Sequence, residues 1–437
     1  MYEIVIGRTD NDKKKLGLEG TIFLGKNYVK MGAVRSLSNR VLIDVAKTHV
    51  MLIVGKRGSG KSFTLGVVAE EMANLPEEIK NKLAVLMIDT MGIFWTMKYK
   101  NVKEADLLEK WNLMPQELNV KVYVPSGEYQ AHVDKGLPVD SKFSINPQEL
   151  NAEDWCQVFN TELFSSIGIT IERALEILED TDYDIQSIID QIEKDTKIEE
   201  KTRLATQNRF KASQGWGLFS KASTPIKDIV RGGQTTVLDV SNYKEWQIKN
   251  LVIGLVAKKL FQERMEHRKG EEIKDIEKGH SYFSTTSEDT GEEMPLVWMA
   301  LDEAHEALPK EGKTPATDAL VTILREGRQP GISLIMATQQ PGEIHKDAIT
   351  QSDIVVAHRL TARKDIDALN SIMQTYLSSD IVTYLNNLPH LKGSAIVLDD
   401  NSERIYPIQI RPRFTWHGGE APTAIKPKSS ALKELGI

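Results

Sequence analysis

"HVMLIVGKRGSGKSFTLGVVAEEM", His49 to Met72, decides how the rest of the chain is read. Four apolar residues, Met51 to Val54, run into a glycine-rich turn, and apolar residues then recur at helical spacing, so the stretch predicts strand, loop and helix. Gly55, Gly60, Lys61 and Ser62 fit the pattern G-x-x-x-x-G-K-[ST]. That spacing has a physical purpose. Glycines let backbone N–H groups close around phosphate oxygens at a helix N-terminus, a lysine reaches the outer phosphates, and a serine hydroxyl holds Mg²⁺. The expected nucleotide-binding set is Gly55, Lys56, Arg57, Gly58, Ser59, Gly60, Lys61, Ser62 and Phe63.

Outward from the loop, short apolar runs suggest strands at 83–89, 120–125, 235–240, 295–303, 331–339, 353–358 and 393–399. Helical patterns such as "WQIKNLVIGLVAKKLFQERMEH" and "TDALVTILREG" fill most gaps. Strands alternating with helices predict an α/β fold with a mainly parallel, helix-covered sheet. Residues 151–233 break the alternation and read as a helical insertion, which divides the core into 48–150 and 234–412. A short β-rich segment, 1–47, precedes the core, and a tail, 413–437, follows it. The polar stretch 268–294 reads as a mobile surface loop.

Composition narrows the class. With 437 residues, 41% hydrophobic and 27% charged, the chain is long enough for a large core and too apolar for wholesale disorder. No apolar run reaches the length of a membrane span and the first residues lack a signal-peptide layout, so the expectation is a cytoplasmic protein with no membrane partner. The single cysteine, Cys156 in "EDWCQVF", excludes an intrachain disulfide and reads as buried. A net charge of −7 argues against nucleic-acid binding by general basicity, so any such contact has to be local. One candidate is the basic window 201–231, where Phe210, Trp216 and Phe219 alternate with cations; the competing reading makes those rings the core of the insertion. His345 and Lys346 are another.

A phosphate loop is common to kinases, GTPases and motors, so the acidic residues have to separate them. "LAVLMID" ends in Asp89, whereas "LVWMALDEAH" ends its apolar run in adjacent acids, Asp302 and Glu303. Adjacent acids suit hydrolysis: the first joins Ser62 at the metal, and the second orients and activates the attacking water. Asp89 is then a neighbouring site residue or a strand cap. In "LREGRQPGISLIMATQQPGE", 324–343, a buried strand ends on amides with two arginines upstream. Locally, Gln339 either belongs to a turn or reaches the γ-phosphate beside the acidic strand.

Together the loop "GKRGSGKS", the strand "LVWMALDEAH", the block from Leu324 to Leu360, the tail "PIQIRPRFTWHGG" and "FSINPQEL" resemble the HerA and FtsK superfamily of ring-forming DNA-pumping ATPases, HerA-like members above all, over roughly Phe23 to Gly419. The resemblance implies a RecA-like P-loop NTPase core assembled as a hexameric homo-oligomer, with ATP and Mg²⁺ between subunits and double-stranded DNA in the channel. Lys61 and Ser62 match the phosphate and magnesium residues, Asp302 and Glu303 the metal and water-activating acids, and Gln339 the sensor. Arg328, with Arg325 as second choice, matches the arginine that reaches a neighbour's site. It further implies a helicase or translocase working with a nuclease or other effector in DNA end processing or antiphage defence. A conjugation or secretion ATPase and an ATP-binding ring scaffold are the alternatives. Two departures stand out. Only 54 residues precede Gly55, too few for the β-barrel that helps dock a nuclease in that family, and Ile93 in "DTMGIFW" occupies the place of a glutamate.

Overall fold

The computed structural model describes residues 3–31, 34–280, 294–373 and 381–419. Its strands are β1 (Ile4–Ile6), β2 (Thr21–Met31), β3 (Val34–Asp44), β4 (Val50–Val54), β5 (Leu83–Asp89), β6 (Lys121–Pro125), β7 (Ser141–Phe143), β8 (Thr235–Asp239), β9 (Leu296–Leu301), β10 (Ile332–Thr338), β11 (Ile354–His358), β12 (Ser394–Asp399) and β13 (Arg404–Ile410). They join one sheet in the order β1-β3-β2-β13-β12-β11-β4-β10-β9-β5-β8-β6-β7. From β11 to β7 every pairing is parallel. From β11 to β3 the sheet continues antiparallel.

Residues of the parallel strands are apolar on both faces, as a sheet covered on both sides requires. In β4, Leu52 and Val54 enter one core and Met51 and Ile53 the other. The helix α1 (Lys61–Ala73) covers the second core through Leu65, Val68, Ala69 and Met72. The first core is covered by helices of the insertion, α2 (Ser166–Leu178), α3 (Ile185–Lys194) and α4 (Glu200–Gln214), and then by α5 (Trp246–His280) and α6 (Thr317–Glu326). The insertion shares its apolar interior with the sheet. Trp155 lies 4.9 Å from Phe210 and 5.2 Å from Phe219, centroid to centroid, and Phe159 stacks on it at 5.4 Å. The aromatics of the basic window are therefore core residues, and Cys156 is buried among them.

One sequence expectation changes. The stretch expected to be a surface loop from residue 268 continues α5 to His280, and residues 281–293 lie outside the described set. Ion pairs of Arg268 with Glu271 and Glu272 support that extra length at helical spacing. Arg264 holds the helix down by donating to the carbonyls of Pro330 at 2.6 Å and Met294 at 2.8 Å. The N-terminal segment does not build a separate barrel: β1, β3 and β2 extend the central sheet beyond β13. No helix among the described residues is long and apolar enough to cross a membrane.

Candidate nucleotide site

In the sheet order β10 lies between β4 and β9, so the carboxyl ends of three adjacent parallel strands carry the phosphate loop, the Thr338-Gln339 end and the Asp302-Glu303 pair. The crevice at such strand ends is where open α/β sheets bind ligands. The loop's backbone is set by glycines. Gly58 and Gly60 adopt φ of 74° and 118°, and a Cβ on Gly55 would sit 2.4 Å from Ser59 Oγ and 2.7 Å from His358 Cβ.

The helix that follows is left open. No side chain caps α1, whereas the insertion helices α2 and α3 are capped by Ser165 and Asp184. Uncapped N–H groups and the positive helix end form an anion site. Beneath the loop, His358 is fully buried. Its Nδ1 faces the Ser394 carbonyl at 3.2 Å, which can only accept, so Nε2 accepts from the Thr64 hydroxyl at 2.9 Å. Burial, aided by the charge of Lys61, pulls this imidazole down to about 4 and keeps it neutral.

Lys61 is 6% exposed and reaches only the Lys56 carbonyl, at 3.4 Å; it has no ion pair among the described residues. Burial lowers its pKa, against the pull of Glu303 and Asp302. The Ser62 hydroxyl donates to Asp302 Oδ2 at 2.5 Å. Burial raises the Asp302 carboxyl above the usual range, and Glu303 adds to this, while Ser62 and Lys61 oppose it. A lysine without an anion beside a carboxylate without enough countercharge fits a metal-bound polyphosphate. Ser62 and Asp302 supply hard oxygen ligands for a divalent ion.

Glu303 is held in an unusual way. Its backbone is left-handed, φ 53° and ψ 44°, which costs a residue bearing a Cβ about 1–2 kcal/mol. Its amide donates to Asp302 Oδ1 at 2.9 Å, and its Oε1 accepts a short hydrogen bond from Gln339 Nε2. Oε2 has no hydrogen-bond partner among the described residues and lies 3.7 Å from His305 Nδ1. His305 meets the Thr338 hydroxyl at 3.0 Å, a contact that isolated residue types gave no means of foreseeing. The segments leaving β9 and β10 then zip together. Lys310 N donates to Glu343 O and His345 N to Leu308 O, both at 2.8 Å.

Asp89 caps its own turn, accepting from the amides of Met91, Gly92 and Phe94 at 3.1, 2.7 and 2.7 Å. Burial, and then Asp239 beside it, push its carboxyl well above the usual range. It is a turn-forming acid at the end of the strand next to that of Asp302, since Ile88 lies opposite Leu301.

The arginines lie elsewhere. Both follow from the end of α6, before β10, and so sit at the opposite end of the sheet from the phosphate loop. Arg325 pairs with Asp347, at 2.6 Å through Nη2 and 2.7 Å through Nε. Arg328 is exposed and has no hydrogen-bond or ion-pair partner among the described residues. With Lys47, His49, Arg264 and Arg268 it lines an open cavity of about 810 Å³.

Comparison with known proteins adds the lineage. The family described as the central domain of helicase HerA matches residues 29–260. The probable DNA double-strand break repair helicase HerA of Methanocaldococcus jannaschii is 21% identical over 403 residues, covering 84% of this chain and 73% of that protein. The HerA of Sulfurisphaera tokodaii is 21% identical over 398 residues, 89% of this chain and 69% of its own length. The Pyrococcus furiosus HerA aligns over 176 residues at 24% identity, only 31% of its length. Among solved structures, VirB4 of Thermoanaerobacter pseudethanolicus shares the fold, with a TM-score of 0.53, 15% identity and coverage of 90% and 97% of the two chains.

Proposed function

The chain belongs to the HerA central-domain family of P-loop ATPases, and on that premise we propose that it is an ATP-driven motor on double-stranded DNA, working as a ring, a hexamer, with a nuclease or other effector. The observation behind this reading is the double contact across β4, β9 and β10: Ser62 on Asp302 and Gln339 on Glu303. Phosphates sit on the open end of α1, with Lys61 on the outer ones. Ser62 and Asp302 hold Mg²⁺, which when bound neutralises phosphate charge. Glu303 accepts a proton from the attacking water at its unpartnered Oε2, while Gln339 fixes the carboxylate and registers the γ-phosphate.

Arg328 completes the site of a neighbouring subunit. Seven strand residues, a rise of roughly 23 Å, separate its end of β10 from Gln339, too far for a side chain to reach within one chain. Its charge is unengaged among the described residues, whereas Arg325 is committed to Asp347. Duplex contacts fall to a few lysines and histidines repeated around the ring, His345 and Lys346 among them, which reconciles DNA binding with a net charge of −7. DNA end processing or antiphage defence is the setting that suits such a motor and effector.

ATP hydrolysis measured with and without duplex DNA tests the reading, together with mass measurement of the Arg328→Ala variant. Stimulation by DNA is expected, and Arg328→Ala should stay assembled while losing about 10³-fold or more in turnover. Hydrolysis indifferent to DNA would sink the motor, and full activity in Arg328→Ala would remove that arginine from the shared site.

A further inference from the structure

The segment after β13 runs along α1 as a strap. Phe63, Gly66 and Glu70 share one stripe of the helix, being three and four residues apart. Glu70, fully buried, anchors the strap: it accepts from Arg411 Nη1 at 2.8 Å, Arg413 Nε at 3.1 Å, and the amides of Phe414 and Thr415 at 3.3 and 3.0 Å. One turn back, Arg413 lies so close that a Cβ on Gly66 would meet its guanidinium at 2.5 Å. At the N-terminal turn the strap delivers His417, whose ring meets Phe63 edge-on, 5.4 Å between centroids and 83° between planes. Arg413 Nη1 lies 3.3 Å from His417 Nδ1. A second support comes from the turn after β5. The Thr96 hydroxyl donates to the Trp416 carbonyl at 3.1 Å, and Trp416 N donates to Tyr99 O at 2.7 Å.

Two facts make this pair more than packing. Phe63 directly follows Ser62 in the first turn of α1, so its ring stands next to the phosphate loop. Phe63 and His417 are both only partly covered, and Trp416 beside them is 38% exposed, although Arg411, Arg413, Phe414 and Thr415 of the same strap are buried. The strap is thus buried from Arg411 to Thr415, and only its end, Trp416 and His417, is partly accessible. Flat heteroaromatic rings bind to such surfaces by stacking.

We propose that Phe63 and His417 form the subsite for the nucleotide's base, a purine ring, with His417 as its specificity-determining wall and the Glu70 anchor as the device that positions it. This rests on the nucleotide reading of the phosphate loop. The strap then makes base recognition depend on a segment 354 residues after Phe63 in the chain, counted from 417 − 63.

Isothermal titration with two probes, ATP and inorganic tripolyphosphate, each with Mg²⁺, separates base from phosphate binding. In His417→Ala the affinity for ATP should fall roughly tenfold, the scale of one lost stacking contact, while tripolyphosphate binds as to the unaltered chain. His417→Phe, which keeps a ring, should retain ATP affinity, and thermal melting should show both variants folded. Equal loss of both probes in a folded His417→Ala, or no loss of ATP, overturns the subsite. If the unaltered chain binds neither probe, it is the nucleotide reading beneath it that fails.

Discussion

Helix α1 carries a charged cluster at each end, and the two are built oppositely. Around Glu70 both oxygens are used, by two arginines, two amides and the Thr415 hydroxyl, with every partner buried. Around Lys61 capacity is left over among the described residues: the lysine has a lone carbonyl contact, Asp302 a serine hydroxyl and its neighbour's amide, and Glu303 an oxygen without a hydrogen bond. A saturated network holds structure, because breaking it strands buried charge. An unsaturated one reserves its remaining capacity for something that is bound only part of the time.

The comparison can be broken most directly at Glu303. Glu303→Gln should lower the rate of ATP hydrolysis by about 10²–10⁴-fold while the melting temperature stays near that of the unaltered chain. A variant that hydrolyses normally would show that the free oxygen is not the base. Glu70→Ala should do the reverse, costing about 3–5 kcal/mol in urea unfolding by leaving the buried Arg413 without its carboxylate and Arg411 with Glu71 alone. A loss under 1 kcal/mol would mean the strap is not anchored there.

A third network sharpens the distinction. At the start of β4, away from the loop, His49 lies 2.6 Å from Asp353 and 3.4 Å from Asp44, which itself pairs with Arg8 at 2.8 Å. Burial alone would depress the imidazole, but the two carboxylates outweigh it and raise its pKa from 6.5 to about 9. A group with a raised folded pKa stabilises the protein fully below its unfolded value, so this contribution is complete below pH 6.5 and is lost as pH rises through 9. The size is about 3 kcal/mol. Urea titrations at pH 6 and pH 9.5 should show that fall, and His49→Gln should flatten it; an unchanged slope in the variant would assign the pH dependence to other groups.

How much was legible beforehand follows from the range of each interaction. The phosphate loop and the Asp302-Glu303 strand end are local patterns in which spacing dictates chemistry, and they read correctly as strand, loop and helix and as strand. The apolar alternation likewise gave the parallel core. What escaped was long-range or conformational. β13 pairs with β2 across most of the chain, and the strap's attachment to Glu70 spans 341 to 345 positions; no periodicity announces either. The left-handed backbone of Glu303 has no sequence signal, since that region favours glycine and asparagine. For Asp89 the sequence left a neighbouring site residue and a strand cap open, because both share the same local pattern, and the amides of Met91, Gly92 and Phe94 on its carboxylate show the cap. The charged stretch after residue 268 looked like a loop because its helix is upheld by ion pairs rather than by an apolar face.

The zipped connections after β9 and β10 have a mechanical meaning. Because Leu308 to Lys310 and Glu343 to His345 are stitched by paired backbone bonds, a load on one is shared by the other. Each leg ends on a different half of the Glu303-Gln339 contact. A displacement at Lys346, next to His345, is therefore passed to the carboxylate and to the amide together, as through a yoke.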